Sequence, residues 1–231
     1  MSKQNIPIIV NIMSANDQIA QINRTQLDQA GVLAVNIMAS PGAGKTSVIE
    51  AIIKALRNEL RITVIEGDIA GSIDAERVQE LGIEAIQINT GGGCHLEAGM
   101  LQRAINQLDL EAIDLLLVEN VGNLICPSAW KLGTHKNVLI ASVPEGDDKP
   151  YKYPTMYRGV DALILNKIDL LPYIDFDMEY FKLGVTLLNQ RLTTLSIFDI
   201  SCRTGEGISD WIEWIQEQKR IQQDFIVETC T

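Results

Sequence analysis

The chain has 231 residues, enough to bury a full core, and one α/β domain is a simpler expectation than two. Its 30 acidic and 19 basic residues leave a formal charge of -11, which argues against a nucleic-acid partner. The four cysteines form no C-x-x-C pair, no apolar stretch approaches a membrane span, and the apolar patch at 6–10 is too short for an export signal; a reducing, cytoplasmic setting with no membrane partner is expected.

Residues 1–10 are expected to form an extended arm. From 14 to 30, Ala15, Ile19, Ile22 and Leu27 recur at helical spacing until Gly31, which predicts a helix packed outside the sheet. Arm and helix make up an N-terminal segment, 1–30, ahead of a nucleotide-binding domain over 31–231. The apolar run 32–38 predicts a strand and 47–60 a helix. Between them lies Ala39-Ser40-Pro41-Gly42-Ala43-Gly44-Lys45-Thr46. A strand, a glycine-containing loop and a helix are the setting of a phosphate-binding loop. Gly42, Ala43 and Gly44 can turn backbone N–H groups onto phosphates, aided by the helix N-terminus at Ser47. Lys45 would pair with the β and γ phosphates, and the Thr46 hydroxyl would ligate Mg²⁺. Ala39 stands where the usual pattern has glycine, so this position must hold an ordinary backbone conformation. The competing reading is a glycine-rich turn that happens to carry a lysine; motif and context together favour the phosphate loop.

A strand over 61–67 ends at Asp68, a short helix runs from Asp74 to Gly82, and a strand over 83–88 leads into Thr90-Gly91-Gly92-Gly93-Cys94-His95. A helix over 96–108 and a strand over 113–119 follow, then a long loop through Cys126-Pro127. Strands at 137–143, 162–165 and 195–200 and helices at 177–190 and 208–223 complete the order. Short apolar strands alternating with amphipathic helices predict an α/β fold, a mostly parallel sheet flanked by helices, with ligands at the carboxyl ends of the strands.

Asn166-Lys167-Ile168-Asp169 directly follows the strand at 162–165. A carboxylate at Asp169 can accept both N–H groups on the Watson–Crick side of guanine, a pair that adenine lacks. Asn166 can bond the base or brace the phosphate loop, and the stem of Lys167 can lie over the ring. Ser201 and Cys202 follow the last strand, where a backbone loop would receive guanine O6. The expected nucleotide is GTP.

Cys94 and His95 precede a predicted helix, whose dipole should lower the thiol pKa and favour metal binding. Cys126 lies four residues past Gly122. Two thiolates and an imidazole suit Zn²⁺ or Ni²⁺, but three donors leave a four-coordinate site open unless water or a second subunit closes it. From spacing alone, two buried cysteines and a surface histidine are an equal alternative. The other histidine, His135, reads as an exposed residue in a polar turn, Cys202 as structural within the base loop, and Cys230 as tail.

The chain resembles the hydrogenase nickel-incorporation GTPases, the nickel-insertion proteins of [NiFe]-hydrogenase maturation. The resemblance is carried by 40–46, Gly67-Asp68, Asp74-Ala75-Glu76-Arg77, Gly93-Cys94-His95-Leu96, 118–124, Cys126-Pro127, 145–150 and 166–172, and it spans nearly the whole chain. It implies a phosphate-loop GTPase of the metallochaperone type, with metal-binding insertion loops. It further implies a GTP-dependent homodimer that holds nickel or zinc at its interface through Cys94, His95 and Cys126, and intrinsic GTP hydrolysis is expected to be slow. A nickel-delivering accessory protein and the hydrogenase large subunit are the implied partners. Within this picture Gly122 N–H bonds the γ-phosphate, Asp68 and Glu119 help hold Mg²⁺ with Thr46, and Asp74 is the candidate for orienting the attacking water. Glu119-Asn120-Val121-Gly122 replaces the usual Asp-x-x-Gly, as the resemblance implies. The chain lacks the Cys-rich or His-rich N-terminal runs of some members, which argues against nickel storage, and Gly99 and Arg103 stand where others have further histidines, which argues against a dinuclear site. The alternatives are a urease-type nickel-insertion GTPase, whose Cys-Pro-His tripeptide is absent, and a metal-storage module in which nucleotide is structural.

Overall fold

The computed structural model describes residues 5–68, 73–189 and 195–229. In chain order the elements are α1 (Asn5–Gln29), β1 (Leu33–Ala39), α2 (Lys45–Leu56), β2 (Ile62–Asp68), α3 (Ile73–Glu80), β3 (Glu84–Asn89), α4 (Ala98–Ile105), β4 (Leu115–Glu119), β5 (Lys136–Ser142), α5 (Lys149–Lys152), α6 (Pro154–Tyr157), β6 (Ala162–Asn166), α7 (Met178–Leu188), β7 (Ser196–Asp199) and α8 (Ile208–Thr229). The seven strands among the described residues form one sheet in the order β3-β2-β4-β1-β5-β6-β7. Every neighbouring pair is parallel, as helical crossovers require.

All seven positions of β1 are buried, because helices cover both faces of the sheet. Its alternation sorts them. Leu33, Val35, Ile37 and Ala39 face Ile49, Ile52 and Ile53 of α2 and Trp211 and Ile215 of α8. Ala34 faces Leu101 and Ile105 of α4 and Leu27 of α1. Met38 faces Tyr157 of α6 and Phe181 of α7. Between those two sits Asn36, buried and polar. Since β1 lies between β4 and β5, the loop that leaves it opens where neighbouring connections part, which is where such sheets bind ligands.

The N-terminus differs from expectation. Instead of an arm over 1–10, α1 already begins at Asn5. Pro7 is compatible with this, because it falls in the first turn, where an N–H has no partner within the helix. The inner face of α1 is also not the apolar stripe predicted from hydropathy: Asn16, Ala20, Asn23 and Leu27 are buried, whereas Ala15 and Ile22 are exposed. Short helices α5 and α6 fill a stretch read as connection. The other elements keep their predicted order with limits shifted by a few residues, and Cys230 lies outside the described residues.

Candidate functional site

The sequence between β1 and α2 folds as a glycine-hinged loop. Gly42 and Gly44 have φ of 77° and 104°, and a Cβ on Gly44 would stand 2.4 Å from Asn166 Nδ2, so no side chain fits there. Ala39 closes β1 in extended backbone, and Lys167 is the single non-glycine residue of positive φ among the described residues. Lys45 Nζ lies 3.9 Å from Glu119 Oε1, and the Thr46 hydroxyl donates to the same oxygen at 3.1 Å. Hydroxyl and carboxylate oxygens converging beside the loop are the donor type that a hard cation such as Mg²⁺ takes. Asp68 ends β2 two residues beyond Glu66, the register partner of Glu119. A Cβ on Gly122 would come within 3.3 Å of Lys45 Nζ and of Pro41, so the segment after β4 leans directly on the loop. Asp74 falls in the first turn of α3, and its side chain lies outside the described residues.

Glu145 had no role assigned from sequence. It accepts from Ser40 of the loop and, at 2.8 Å, from Ser142 Oγ. It thereby ties the conspicuous stretch at 145–150 to the phosphate loop.

The base-side residues meet around a cavity of about 400 Å³ lined by Gly44, Ser47, Asn166, Lys167, Asp169 and Cys202, among others. Of the two roles open to Asn166, the observed one is bracing: its Nδ2 donates to Ala43 O at 2.9 Å, and its Oδ1 accepts from Lys167 N and Cys202 N. Lys167 Nζ donates to Gly42 O at 2.6 Å, laying its stem along the cavity. Ser201 Oγ donates to Asp169 Oδ1 at 2.6 Å and fixes that carboxylate at the rim. Burial pushes the Cys202 thiol up to about 11, so it stays neutral, and its backbone N–H is the group in use.

Cys94 and His95 come from the loop between β3 and α4, and Cys126 from the loop after β4. Their donor atoms all lie within 4.8 Å of one another. The two sulfurs are 2.8 Å apart, and Cys94 Sγ is 3.6 Å from His95 Nδ1. A tetrahedral ion with bonds of about 2.3 Å needs its sulfurs roughly 3.7 Å apart, so loading must spread the thiols by about 1 Å. His95 stacks on Trp130 with centroids 4.6 Å apart. Its Nε2 is buried without a hydrogen-bond partner, and burial lowers its pKa. A neutral imidazole with an unused nitrogen is what a metal requires. Cys94 does not stand at the helix start expected of it, however. α4 begins only at Ala98, capped by Glu97, and a dipole falls off within the first turn. The shift present is upward, at Cys126, and its first cause is the contact with Cys94.

Two asparagines of the Glu119-Asn120-Val121-Gly122-Asn123 run, unassigned from sequence, join this cluster to the phosphate loop. Fully buried Asn120 accepts at Oδ1 from Leu96 N (3.1 Å) and Val121 N (2.9 Å), while its Nδ2 donates to Asn36 Oδ1. Asn123 N donates to Ala39 O, its Oδ1 accepts from Cys126 N at 3.2 Å, and its Nδ2 lies 3.7 Å from Cys126 Sγ. The segments that carry Cys94, His95 and Cys126 are therefore both bonded to the five-residue run that touches Lys45.

His135 is not the exposed residue expected. Its side chain is 5% exposed; Nδ1 accepts from Ala34 N at 2.9 Å and Nε2–H donates to Asp28 Oδ1 at 2.8 Å. Burial foremost, with Arg24 and Lys136 nearby and against the pull of Asp28, brings its pKa down to about 4. An unfolded histidine titrates near 6.5, so as pH falls below that the unfolded chain takes a proton that the folded chain refuses until about 4. This contribution is fully present above pH 6.5 and lost between 6.5 and 4, on the order of 3 kcal/mol at most. Denaturant titrations of His135→Gln should show a flatter fall in stability across that window than the parent; equal slopes would remove His135 as the cause.

Residues 33–195 match the nucleotide-binding domain of the CobW/HypB/UreG family. The chain is 46% identical over 211 residues to the hydrogenase maturation factor HypB of Rhizobium leguminosarum bv. viciae, covering 91% of this chain and 70% of that protein. The crystal structure of HypB from Archaeoglobus fulgidus superposes with a TM-score of 0.83 at 38% identity, over 89% of this chain and 99% of that one. HypB from Helicobacter pylori, solved in complex with nickel, gives a TM-score of 0.83 at 37% identity, over 89% and 95% of the two chains. Among the described residues no helix is long and apolar enough to cross a membrane. The chain belongs to the CobW/HypB/UreG family and, within it, to the HypB hydrogenase maturation factors.

Proposed function

We propose that the protein is a GTP-hydrolysing metallochaperone that couples GTP binding and hydrolysis to nickel delivery into [NiFe]-hydrogenase during its maturation. The observation that carries this reading is the single short segment, 119–126, that touches Lys45 at Gly122 and holds Cys126 at its end. Gly42, Ala43, Gly44, Lys45, Thr46 and Ser47 receive the phosphates. Asn166, Lys167, Asp169, Ser201 and the Cys202 backbone form the guanine side. Thr46, Asp68 and Glu119 would hold Mg²⁺, which when bound neutralises charge across the β and γ phosphates. Lys45 and Gly122 N–H engage the γ-phosphate while water, oriented by Asp74, attacks phosphorus; the bond to the β–γ bridging oxygen breaks, leaving GDP and inorganic phosphate. Release of Gly122 then shifts Cys126 directly and, through Asn120, the loop of Cys94 and His95.

Nickel is the cargo, a choice supported by the nickel complex of the Helicobacter pylori relative. Three donors per chain fall one short of a closed tetrahedral site, so a GTP-dependent homodimer with Cys94, His95 and Cys126 facing their copies across a two-fold axis completes it. A nickel-delivering accessory protein upstream and the hydrogenase large subunit downstream are its cytoplasmic partners. The test is metal content and oligomeric mass, measured side by side with GDP and with a non-hydrolysable GTP analogue. A metal-containing dimer with the analogue that loosens with GDP is expected. A monomer holding several ions per chain in both states, without GTP turnover, would instead identify a storage module.

A further inference from the structure

α1 lies ahead of residue 33, where the match to the nucleotide-binding domain begins, yet it is bonded to both metal-bearing segments. Asn16 and Asn23 are 7% and 0% exposed. Ala98 N donates to Asn16 Oδ1 at 2.9 Å, and Asn16 Nδ2 donates to Lys131 O at 2.9 Å. Asn23 Nδ2 donates to Ala98 O and to Leu132 O, both at 2.9 Å. Ala98 follows His95 by three residues. Lys131 and Leu132 directly follow Trp130, the ring on which His95 stacks and which lies four residues after Cys126. A Cβ on Gly133 would lie 2.2 Å from Ala20 O, so the second segment runs hard against the helix. One helix face thus holds two loops that are distant in sequence: Asn16 uses both ends of its carboxamide, and Asn23 uses the two N–H donors of its own, its Oδ1 having no hydrogen-bond partner.

We propose that α1 is a positioning element of the metal site, with Asn16 and Asn23 fixing how far the Cys94 and His95 loop stands from the Cys126 loop. The inference rests on Cys94, His95 and Cys126 being the metal ligands. Hydrophobic burial alone would let the loops slide on α1. The paired carboxamides set their register, because displacing either loop leaves buried N–H or C=O groups without partners. The sulfurs must separate by about 1 Å on loading, and the strap determines which separation is reached and how firmly it is held.

The experiment titrates Co²⁺ alone, then Zn²⁺, into the full chain and into its Cys94→Ala, Asn16→Ala, Asn23→Ala and Leu27→Ala variants, with the affinity for a fluorescent GDP measured on each. Leu27 is a fully buried α1 residue of the core with no polar atom to offer either loop, so its variant destabilises the same helix without removing a hydrogen bond to them. Supporting groups behind metal ligands typically set 10- to 100-fold in affinity. Asn16→Ala and Asn23→Ala should lose metal affinity within that range and alter the thiolate-to-cobalt absorption, with GDP affinity kept. Leu27→Ala should lower the melting temperature and leave the cobalt spectrum unchanged. Equal cobalt affinity in the parent and Cys94→Ala would overturn the ligand assignment and the inference with it. Loss in Cys94→Ala but parent-like affinity and spectrum in both asparagine variants would overturn the positioning role alone. Should those variants fail to fold, amide exchange in the parent decides, because linkage requires metal to stabilise the strap that stabilises it. Zn²⁺ should slow exchange of the Ala98 N–H, and an unchanged rate would refute the proposal.

Discussion

Replacing Lys45 with alanine is expected to abolish measurable GTP hydrolysis and to weaken triphosphate binding far more than diphosphate binding. Lys45 is the only side-chain cation between residues 39 and 46. The other lysine nearby, Lys167, is committed to the Gly42 carbonyl at 2.6 Å and cannot substitute. The Lys45 side chain is 11% exposed and its ammonium is held 3.9 Å from Glu119, so it is largely desolvated and placed before nucleotide arrives. Preorganised charge of this kind acts on developing negative charge at little reorganisation cost, and loss of one such group typically removes about 100- to 1,000-fold in rate. Triphosphate carries the additional phosphate that Lys45 serves, which is why its affinity should fall more. The variant also deprives buried Glu119 of a cationic neighbour, so some loss of stability without nucleotide is expected, and folding should be checked by circular dichroism. Single-turnover assays with GTP, beside titrations of GDP and a non-hydrolysable analogue, read both effects. Turnover near the parent rate would show that the loop does not engage the γ-phosphate.

The sheet was legible because burial on both faces leaves unbroken apolar runs, as at 33–39 and 115–119. The turn between β1 and α2 was legible because its glycines mark conformations that other residues avoid, and Gly44 leaves no room for a Cβ beside Asn166. Cys94, His95 and Cys126 could be read as three donors but not as a cluster, since only the parallel pairing of β2 with β4 and β3 brings residues 94 and 126 together. What stayed hidden was mostly asparagine. Asn16, Asn23, Asn36 and Asn120 are buried, and a hydropathy pattern counts each as a surface position. That is why the inner face of α1 was placed on Ala15 and Ile22 rather than on Asn16 and Asn23. His135 misled in the same way: in a polar turn a histidine looks solvated, and only the approach of Asp28 and of the Ala34 N–H makes it a buried, neutral linker. A buried amide is intelligible only with its partners, and apart from Val121 beside Asn120 those partners are 24 to 115 residues away.

Metal affinity is expected to differ between the GTP-bound and GDP-bound states, and Cys94→Ala or Cys126→Ala should erase the difference while leaving GTP binding largely intact. Gly122 leans on Pro41 and Lys45, so a γ-phosphate that takes its N–H must set the path of the segment leading to Cys126. The same displacement reaches Cys94 and His95, because Asn120 Oδ1 holds both Val121 N and Leu96 N. Both arms of the donor set therefore respond to one event, and a spread of about 1 Å between the sulfurs separates the closely apposed thiols from a coordinating pair. Coupling between two such sites commonly amounts to about 1–3 kcal/mol, roughly 5- to 150-fold, and metal must alter nucleotide affinity by the same factor. Nickel and zinc titrations into each nucleotide state of the parent and both variants, paired with nucleotide titrations with and without metal, measure the coupling from both directions. Reciprocal factors within that range, lost in both cysteine variants, are the expected result. Identical metal affinities in the two nucleotide states would refute the switch even with the ligands correctly assigned. In that case the segment from Glu119 to Cys126 would be a scaffold shared by two independent sites.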